Sequence, residues 1–363
     1  MRTRFLVLLL VALPLASRSV SIAGPEVAFP VVRHYVCYQA AQPPVIDGAL
    51  DDPAWRAAEW TDFFVDIEGA IRPAPTFRSR AKLLWDDDYL YIAAELEEPD
   101  VWATLTQRDA VIFHDNDFEV FIDPDGDTHN YSELEINALG TVWDLLLPKP
   151  YRDGGPPIDA WDISGLRSAV AVHGTINDPA SRDTAWTVEL ALPWKVLAQA
   201  APGGRRPSDG EQWRINFSRV EWDADVRDGR YVKRLDTTTG KPLPEHNWVW
   251  SPQGVVNMHV PERWGIVQFS AVSAGGGTAA FAPPPDEDVR WALREVYYAE
   301  VRYQKAHGRY TSDLAALALG PDWRAPAGFR LEAIATQYTA GATGNDGSTR
   351  WRIQQDGRIW ADR

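Results

Sequence analysis

Carboxylates, an amide and an aromatic ring recur at alternate positions in two neighbouring segments of the sequence. Alternate residues of an extended chain share a face, so Glu119 lies with Phe121 in the first segment, and Glu133, Glu135 and Asn137 lie together in the second. Carboxylates and amides bond to neighbouring hydroxyl groups, and an aromatic ring covers the apolar side of a sugar ring. The pattern indicates a carbohydrate-binding face, although a solvated sheet face has the same pattern.

Aromatic side chains are concentrated again at residues 245–250. Trp248 and Trp250 are two residues apart, so they lie on one side of an extended segment. Two neighbouring indoles form either a sugar-stacking platform or a corner of the hydrophobic core, which is the commoner place for tryptophan. The polar neighbours His246 and Asn247 favour the platform, so we expect this segment to contribute to carbohydrate binding.

Two acidic segments have the composition of a calcium site. Asp123, Asp125 and Asp127 occupy alternate positions of a glycine-containing turn, so their oxygens can converge on a hard cation. The glutamate that closes an EF-hand loop is absent, and Asp-Gly also favours hairpin turns that bind no metal. The alternative site consists of Asp47, Asp51 and Asp52. We expect a structural Ca²⁺ at one of these two places.

The paired carboxylates also leave an enzymatic alternative open. Glu133 and either Glu135 or Glu119 are close enough on the predicted sheet to serve as the acid and nucleophile of a hydrolase acting on O-glycosyl bonds. No feature singles out one of them as the acid. The H-E-x-x-H and G-x-S-x-G motifs are absent. We therefore predict no catalytic residue and a non-catalytic protein.

Strands must position these side chains, because short apolar runs alternate with polar residues and turn clusters from about residue 31 to 270. The segment 81–96 predicts a hairpin around Asp86 to Asp88. In the next hairpin Phe118, Val120 and Ile122 form the core face, opposite the polar face that carries Glu119. The pattern predicts a mainly β protein, an antiparallel immunoglobulin-like or jelly-roll β-sandwich.

The composition changes at residues 271–285, which are rich in glycine, alanine and proline and are typical of an exposed linker. Beyond this segment Val296, Ala299 and Tyr303 recur at helical spacing, and Gly308 ends the predicted helix. Thr311 or Ser312 then caps a short helix, and residues 351–360 form a closing hairpin. A small α+β domain is therefore predicted at 286–363, after a sandwich at 31–270.

The N-terminus has the features of a secretory signal peptide at residues 1–23. Arg2 and Arg4 precede an apolar run that is shorter than the roughly 20 residues a membrane-spanning helix needs, so no membrane insertion is predicted. The chain has 51 acidic and 36 basic residues, which disfavours nucleic acid as a partner. Cys37 is the only cysteine, which excludes internal disulfides. We expect an exported protein, periplasmic or extracellular.

Six blocks of sequence resemble the family 9 carbohydrate-binding modules over roughly residues 36 to 270. The blocks are Pro44–Gly48 with Leu50–Trp55, Leu84–Tyr91, Asp117–Asp123, Tyr131–Asn137, Trp186–Glu189 with Pro193–Trp194, and Met258–Gly265. The resemblance implies a β-sandwich that binds calcium and clamps a terminal sugar between two aromatic rings. Together with the polar face and the late tryptophans, it leads us to expect a protein that serves polysaccharide degradation or uptake by binding sugar.

The resemblance assigns roles to individual residues by position. Glu119 and Asn137 match the polar sugar contacts of the family, and Phe113 stands near the first clamp ring, where a tryptophan is usual. Glu135 stands where a basic residue can occur, and the second ring falls at Trp248 or Trp250. The predicted carbohydrate-binding residues are therefore Phe113, Glu119, Phe121, Glu135, Asn137, Asn247, Trp248 and Trp250.

Two further functions compete with sugar binding. A related sandwich family holds haem, which requires an axial methionine with histidine or lysine, and Met258 is the only methionine after the signal peptide. Alternatively, the sandwich is a scaffold whose C-terminal unit docks on another envelope protein. Residues 297–314 of that unit resemble the soluble part of type IV pilin-like proteins.

Overall fold

The computed structural model describes residues 31–362, so the predicted signal peptide at residues 1–23 lies outside the described residues. The strands are β1 (His34–Gln39), β2 (Val65–Asp66), β3 (Ser79–Trp85), β4 (Tyr89–Glu97), β5 (Asp117–Asp123), β6 (Tyr131–Asn137), β7 (Val142–Leu147), β8 (Arg167–His173), β9 (Ala185–Pro193), β10 (Gln212–Glu221), β11 (Ala224–Arg227), β12 (Arg230–Lys233), β13 (His246–Val249), β14 (Gly265–Ser273), β15 (Arg330–Ile334), β16 (Gln337–Thr343), β17 (Arg350–Gln354) and β18 (Ile359–Asp362).

Helices are few in the described part of the chain. The α-helices are α1 (Pro53–Ala57), α2 (Trp194–Leu197) and α3 (Glu287–His307). Short 3₁₀ turns occur at Gly69–Ile71, Ile112–His114, Tyr151–Asp153, Pro202–Gly204, Pro261–Arg263 and Leu314–Leu317. No helix among residues 31–362 is both long enough and apolar enough to cross a membrane.

One large curled sheet forms the sandwich, with strand order β7-β6-β5-β10-β14-β1-β3-β4-β9-β8 and with β13 and β2 attached beside β10. Neighbouring strands are antiparallel except around β1, which is parallel to both β14 and β3. The two halves of the sheet pack face to face, because Val120 and Phe217 of one half share a hydrophobic core with Leu83 and Val188 of the other. The predicted β-sandwich is confirmed, with a mixed rather than purely antiparallel sheet.

The predicted alternation in the two hairpins is also confirmed. Phe118, Val120 and Ile122 lie in the core between the sheet halves. Glu119 pairs with Glu135, and Phe121 pairs with Glu133, so these side chains share the opposite face of β5 and β6. We call this side of β5, β6 and β10 the polar face.

The polar face is covered rather than solvated. A second apolar cluster, which includes Phe121, Tyr131, Met258 and Trp264, packs over it. The indole Nε1 of Trp264 donates a hydrogen bond to the backbone oxygen of Met258 at 2.8 Å, which fixes the covering segment. The carboxylates of this face are therefore buried.

Residues beyond 286 form the predicted small α+β unit. Helix α3 packs on an antiparallel sheet of order β15-β16-β17-β18, and Val296 and Ala299 lie in their shared core. Gly308 ends α3 in the left-handed conformation, as its position predicts. The turn after it is capped by Asp313, whose side chain accepts a hydrogen bond from the backbone N–H of Ala315. The prediction of Thr311 or Ser312 as the cap is therefore wrong.

The segment between the two units is held against the sandwich. Strand β14 runs to Ser273, so it overlaps the start of the predicted linker at 271–285. The side chain of Gln268 donates to the backbone oxygen of Ala280 and accepts from the backbone N–H of Ala282. Phe281 stacks on His34 with ring centroids 4.1 Å apart. These contacts tie the segment to β1 and β14.

Candidate functional site

Four carboxylates lie together on the polar face, and we call Asp117, Glu119, Glu133 and Glu135 the inner carboxylate cluster. Strand pairing of β5 with β6 brings them together, and each is 5 % exposed or less. Carboxylate oxygens of Asp117, Glu119 and Glu135 lie within 4.8 Å of one another. Asp117 was not among the predicted site residues, although its alternation with Glu119 places it on the same face.

Burial sets the electrostatics of this cluster. It raises the pKa of Asp117, Glu133 and Glu135 well above the ordinary values, and the neighbouring carboxylates raise these pKa values further. Burial also raises the pKa of Glu119 to about 7, with a lowering contribution from Ser218 and a raising one from Glu245. No lysine or arginine is among the groups that shift these four pKa values in the described structure.

An aromatic rim borders the cluster. Phe113 is half-buried, and its backbone N–H donates to Glu135 Oε2 at 2.8 Å. The backbone oxygen of Phe113 accepts a hydrogen bond from the indole Nε1 of Trp222 at 2.8 Å. Lys233 Nζ lies 3.3 Å from the centroid of the Trp222 ring. The structure therefore brings Phe113 and Glu135 together, as predicted, and adds Trp222.

Sequence analysis missed Trp222, although a signal was present. Ser218 lies directly opposite Glu119 in the pairing of β10 with β5. Alternation along the same strand then places residues 220 and 222 on that side as well. The position of Trp222 beside the acids could therefore have been predicted from the sequence if β10 had been paired with β5.

Asn137 lies on the polar face as predicted, but its hydrogen bonds are all used internally. Its Nδ2 donates to the backbone oxygen of Leu105 and to Asp115 Oδ2. Its Oδ1 accepts from the backbone N–H groups of Leu139 and Thr141. An amide can make about four such bonds, so Asn137 holds two loops and has no group left for a sugar.

The side chain of Phe121 lies on the polar face as predicted, but it is buried and not accessible to a sugar. It is 1 % exposed, and its ring centroid lies 5.4 Å from that of Trp264 and 5.9 Å from that of His259. The segment that carries Met258 and Trp264 covers it. Phe121 is therefore a core residue of the covered face and offers no ring surface to a ligand.

The tryptophan pair is buried on the opposite side of the sheet, so its predicted role as a clamp is wrong. Trp248 pairs with Arg219, whereas Ser218, one residue earlier, is the residue opposite Glu119. Trp250 is 1 % exposed and packs on Phe217 in the main core. A side chain at Gly265 would collide with the Trp250 ring, which confirms the tight packing there. Asn247 is half-buried and pairs with Val220, which places it on the polar face.

The Asp123–Asp127 turn is the second group of convergent carboxylates, with oxygens within 4.8 Å of one another. The two carboxylate oxygens of Asp123 accept hydrogen bonds from the backbone N–H groups of Gly126 and Thr128. Asp127 Oδ2 accepts a 2.8 Å hydrogen bond from Arg358 Nε, and Arg290 donates to the backbone oxygen of Gly126. Arginines of the C-terminal unit thus occupy the surroundings that a cation would need.

Burial and the neighbouring acids raise the pKa of Asp123 well above its ordinary value and that of Asp125 to about 6. The pKa values are raised partly because neighbouring carboxylates repel one another, and a nearby cation or arginine would compensate this repulsion. The Arg358 guanidinium supplies that charge at Asp127. Calcium at this turn remains a prediction, and the residues present fit an arginine-neutralised turn better than a metal site.

The alternative acidic group is not assembled. Asp47, Asp51 and Asp52 do not form a convergent group among the described residues. Asp52 Oδ2 accepts from the backbone N–H of Val45, and Asp47 Oδ1 accepts from that of Ala49. Both side chains therefore shape their own loop, and calcium at this alternative place stays a prediction.

Two cavities lie outside the inner carboxylate cluster. A cleft of about 890 Å³ separates the sandwich from the C-terminal unit and is lined by Arg205, Arg290 and Trp351 among others. A second depression of about 660 Å³ borders Arg108, Thr141 and Asp162. Neither is lined by a residue of the cluster.

Comparison with known proteins identifies relatives of the sandwich. The model of the family described as carbohydrate family 9 binding domain-like matches residues 46–249. Exoglucanase XynX of Acetivibrio thermocellus is 25 % identical over 154 residues, which is 42 % of this chain and 12 % of that enzyme. Endo-1,4-beta-xylanase C of Paenibacillus barcinonensis is 32 % identical over 91 residues, which is 25 % of this chain and 8 % of that enzyme. The chain thus spans a small fraction of these relatives.

Solved structures of similar shape include a family 9 carbohydrate binding module from Caldicellulosiruptor kristjanssonii in complex with cellotriose. It is 17 % identical, with a TM-score of 0.42, and the likeness covers 68 % of this chain and 99 % of that one. A putative carbohydrate-binding protein from Bacteroides uniformis is 16 % identical with a TM-score of 0.48, covering 66 % of this chain and all of that one.

Proposed function

The chain belongs to the carbohydrate family 9 binding domain-like family, and from that premise we propose that it is an exported, non-catalytic protein that binds carbohydrate and serves polysaccharide degradation or uptake. The family match covers 204 of the 363 residues and includes the inner carboxylate cluster, Phe113 and Trp222. The curated relatives that share this region are an exoglucanase and endo-1,4-beta-xylanases, which supports a plant-type polysaccharide as the ligand.

The observation that carries the proposal is the aromatic rim beside the buried acids. Trp222 and Phe113 are both half-buried, so each residue keeps some accessible surface. Such surfaces stack on the apolar face of a pyranose ring. Lys233 and Asn247 supply polar groups at the same edge of the sheet. The sugar therefore contacts the rim, while Asn137, Phe121, Trp248 and Trp250 support it from within.

The low accessibility of the carboxylates supports binding rather than hydrolysis. A glycoside hydrolase needs its acid and its nucleophile on either side of the scissile bond. Glu133, Glu119 and Glu135 are 5 %, 4 % and 2 % exposed, and Glu135 already accepts the Phe113 N–H. Carboxylates buried to this extent are poorly placed to flank a glycosidic bond. Reducing-sugar assays should give no release from xylan or cellulose, and release that vanishes in Glu119→Gln would overturn the non-catalytic proposal.

The test of sugar binding is calorimetric titration of the full chain with xylo- and cello-oligosaccharides. Trp222→Ala removes stacking area and should weaken binding by about 1 to 3 kcal/mol, which is about 5-fold to 150-fold. Trp60→Ala is the matched control, because Trp60 is also half-buried and lies against a lysine, with Lys82 Nζ 4.3 Å from its centroid, but outside the rim. Equal effects of the two variants, or no binding by folded protein, would defeat the proposal.

A further inference from the structure

The cleft between the sandwich and the C-terminal unit has walls that contacts from both units hold in place. Arg290 of α3 donates a 2.6 Å hydrogen bond to the backbone oxygen of Gly126. Glu287, at the start of the same helix, forms an ion pair with Arg214 of β10. The volume of the cleft, about 890 Å³, lies within the range of about 300 to 1,000 Å³ that is usual for ligand pockets. A cleft that is already formed has little conformational entropy to lose when it binds a ligand.

Apolar side chains form much of the cleft wall. Pro202 lines it from the sandwich, and Pro284 and Pro285 line it at the end of the segment that joins the two units. Trp351 of β17 lines it from the C-terminal unit and is half-buried. Its indole Nε1 donates a 2.9 Å hydrogen bond to Asp286 Oδ2, which fixes the orientation of the ring. Extended peptide segments dock in aromatic-lined grooves of this kind.

Acidic side chains outnumber basic ones in the cleft. Among the described residues, six acids and three arginines line it. Arg205 pairs with Glu211. Arg214 and Arg290 both pair with Glu287. The arginines are therefore already used, and the other four lining acids form no ion pair with any residue of the range 31–362.

The four unpaired acids are Asp125, Asp286, Asp288 and Asp346. Asp286 occupies the N-cap position of α3, and Asp288 lies in its first turn. The helix macrodipole favours negative charge there, but it is equivalent to about half an elementary charge and compensates only part of the excess. Asp125, Asp288 and Asp346 are exposed, so their carboxylates are accessible to a ligand. The cleft therefore favours a ligand that brings positive charge.

We propose that this cleft binds an extended segment of another protein, in which lysine or arginine residues alternate with apolar ones. The apolar residues cover Trp351 and the prolines, and the cationic groups reach Asp125, Asp288 and Asp346. Lysine and arginine suit such a surface, because their methylene stems pack on apolar atoms while the charge stays at the edge. The net charge of −15 on the chain attracts the same class of partner over longer distances.

The proposal is independent of carbohydrate binding. The family match ends at residue 249, so the wall that contains Trp351 lies outside it. No residue of the inner carboxylate cluster lines the cleft. Failure of one proposal therefore leaves the other unaffected.

Calorimetric titration of the full chain with a synthetic peptide tests the cleft. The probe is the acetylated and amidated heptapeptide Lys-Leu-Pro-Lys-Leu-Pro-Lys, and its twin carries glutamate in place of each lysine. Wild-type protein should bind the basic peptide saturably, with a Kd of about 10 to 100 μM, and at least about ten-fold more tightly than the acidic twin. Raising NaCl from about 0.05 M to about 0.5 M should weaken this binding several-fold.

Two variants should change the affinity in opposite directions. The double variant Asp288→Asn with Asp346→Asn keeps the size of both side chains and should weaken binding at least about five-fold. Arg205→Gln removes a cation from the lining and should strengthen binding about two-fold to five-fold. Asp322→Asn is the matched control, because Asp322 is an exposed acid of the same unit that does not line the cleft. Near-ultraviolet circular dichroism checks that each variant is folded.

Four results would overturn the proposal. They are no binding of the basic peptide by folded wild-type protein, equal binding of the acidic twin, unchanged affinity in both the double variant and Arg205→Gln, and displacement of the peptide by a cello-oligosaccharide. The last result would make the cleft a sugar site.

Discussion

Strand β5 begins and ends in groups of acidic residues, and the two groups are neutralised differently. At its end, the Asp123–Asp127 turn is held by backbone N–H groups and by Arg358, which lies 231 positions away in the sequence. At its start, the inner carboxylate cluster is buried without a basic partner among the described residues, and Asp117 Oδ2 there lacks a hydrogen bond. Similar composition thus produces an arginine-neutralised turn in one place and a buried acidic cluster without a basic partner in the other.

The difference arises from what each group faces. The turn faces the C-terminal unit, where Thr128 Oγ1 donates to the backbone oxygen of Gly357 and Ile359 N–H donates to that of Asp127. The inner cluster faces Phe113, Trp222 and the covering segment, none of which carries a positive charge to its carboxylates. An acidic motif therefore shows where charge accumulates, and only its tertiary partners show whether a ligand is needed.

The largest change in the free energy of unfolding is expected for a substitution in the Asp123–Asp127 turn. Asp123→Ala leaves the buried N–H groups of Gly126 and Thr128 without acceptors, which should lower the free energy of unfolding by about 2 to 5 kcal/mol. Urea denaturation followed by tryptophan fluorescence measures this loss. Ser79→Ala, in a buried strand away from the turn, serves for comparison. A change below about 1 kcal/mol would mean that the turn is not a structural element.

Removing a charge from the inner carboxylate cluster should raise the free energy of unfolding, whereas Asp123→Ala should lower it. Glu119 has a folded-state pKa raised to about 7, so the folded state binds more protons than the unfolded state between its ordinary pKa and 7. Stability without divalent cations should therefore fall as pH rises through that window and level off above it. Glu119→Gln should reduce this dependence, to which Asp117, Glu133 and Glu135 also contribute, and stabilise the metal-free protein at pH 8 by about 1 to 3 kcal/mol.

Urea denaturation in EDTA at pH 5, 6, 7 and 8 measures this effect. Glu59→Gln is the control, because Glu59 is exposed. Wild-type stability that rises from pH 5 to pH 8 in EDTA, or a destabilised Glu119→Gln variant at pH 8, would contradict the assignment of uncompensated charge to the inner cluster.

The smallest effect is expected for Arg358→Ala. Its partner Asp127 is buried, but the guanidinium is about half exposed, so the loss of the ion pair should cost about 0.5 to 1 kcal/mol. If the turn needs a positive charge, this variant should also gain weak Ca²⁺ binding at Asp123, Asp125 and Asp127. Calorimetry detects such a second site, and a thermal melt gives the stability change. A loss above about 3 kcal/mol would show that the pair acts as a buried one.

The sequence predicted the fold and the alternation of β5 and β6 well, because hydrophobic periodicity is a local property. It placed Glu119, Glu135 and Asn137 on one face correctly. It failed for Trp248, because the face of a short strand depends on its register with β10, and a shift of one residue reverses every side chain. The sequence also could not show that every hydrogen-bonding group of Asn137 is used within the protein, because Leu105, one of its partners, lies in a loop distant in sequence.

The most direct test of the carbohydrate-binding account is a crystal structure of the full chain with a bound xylo- or cello-oligosaccharide. A sugar ring should lie against Trp222 and Phe113, above the inner carboxylate cluster, with Trp248 and Trp250 remaining in the core. A sugar seated instead in the cleft lined by Trp351, or one stacked on Trp248 after the sheet has rearranged, would contradict it.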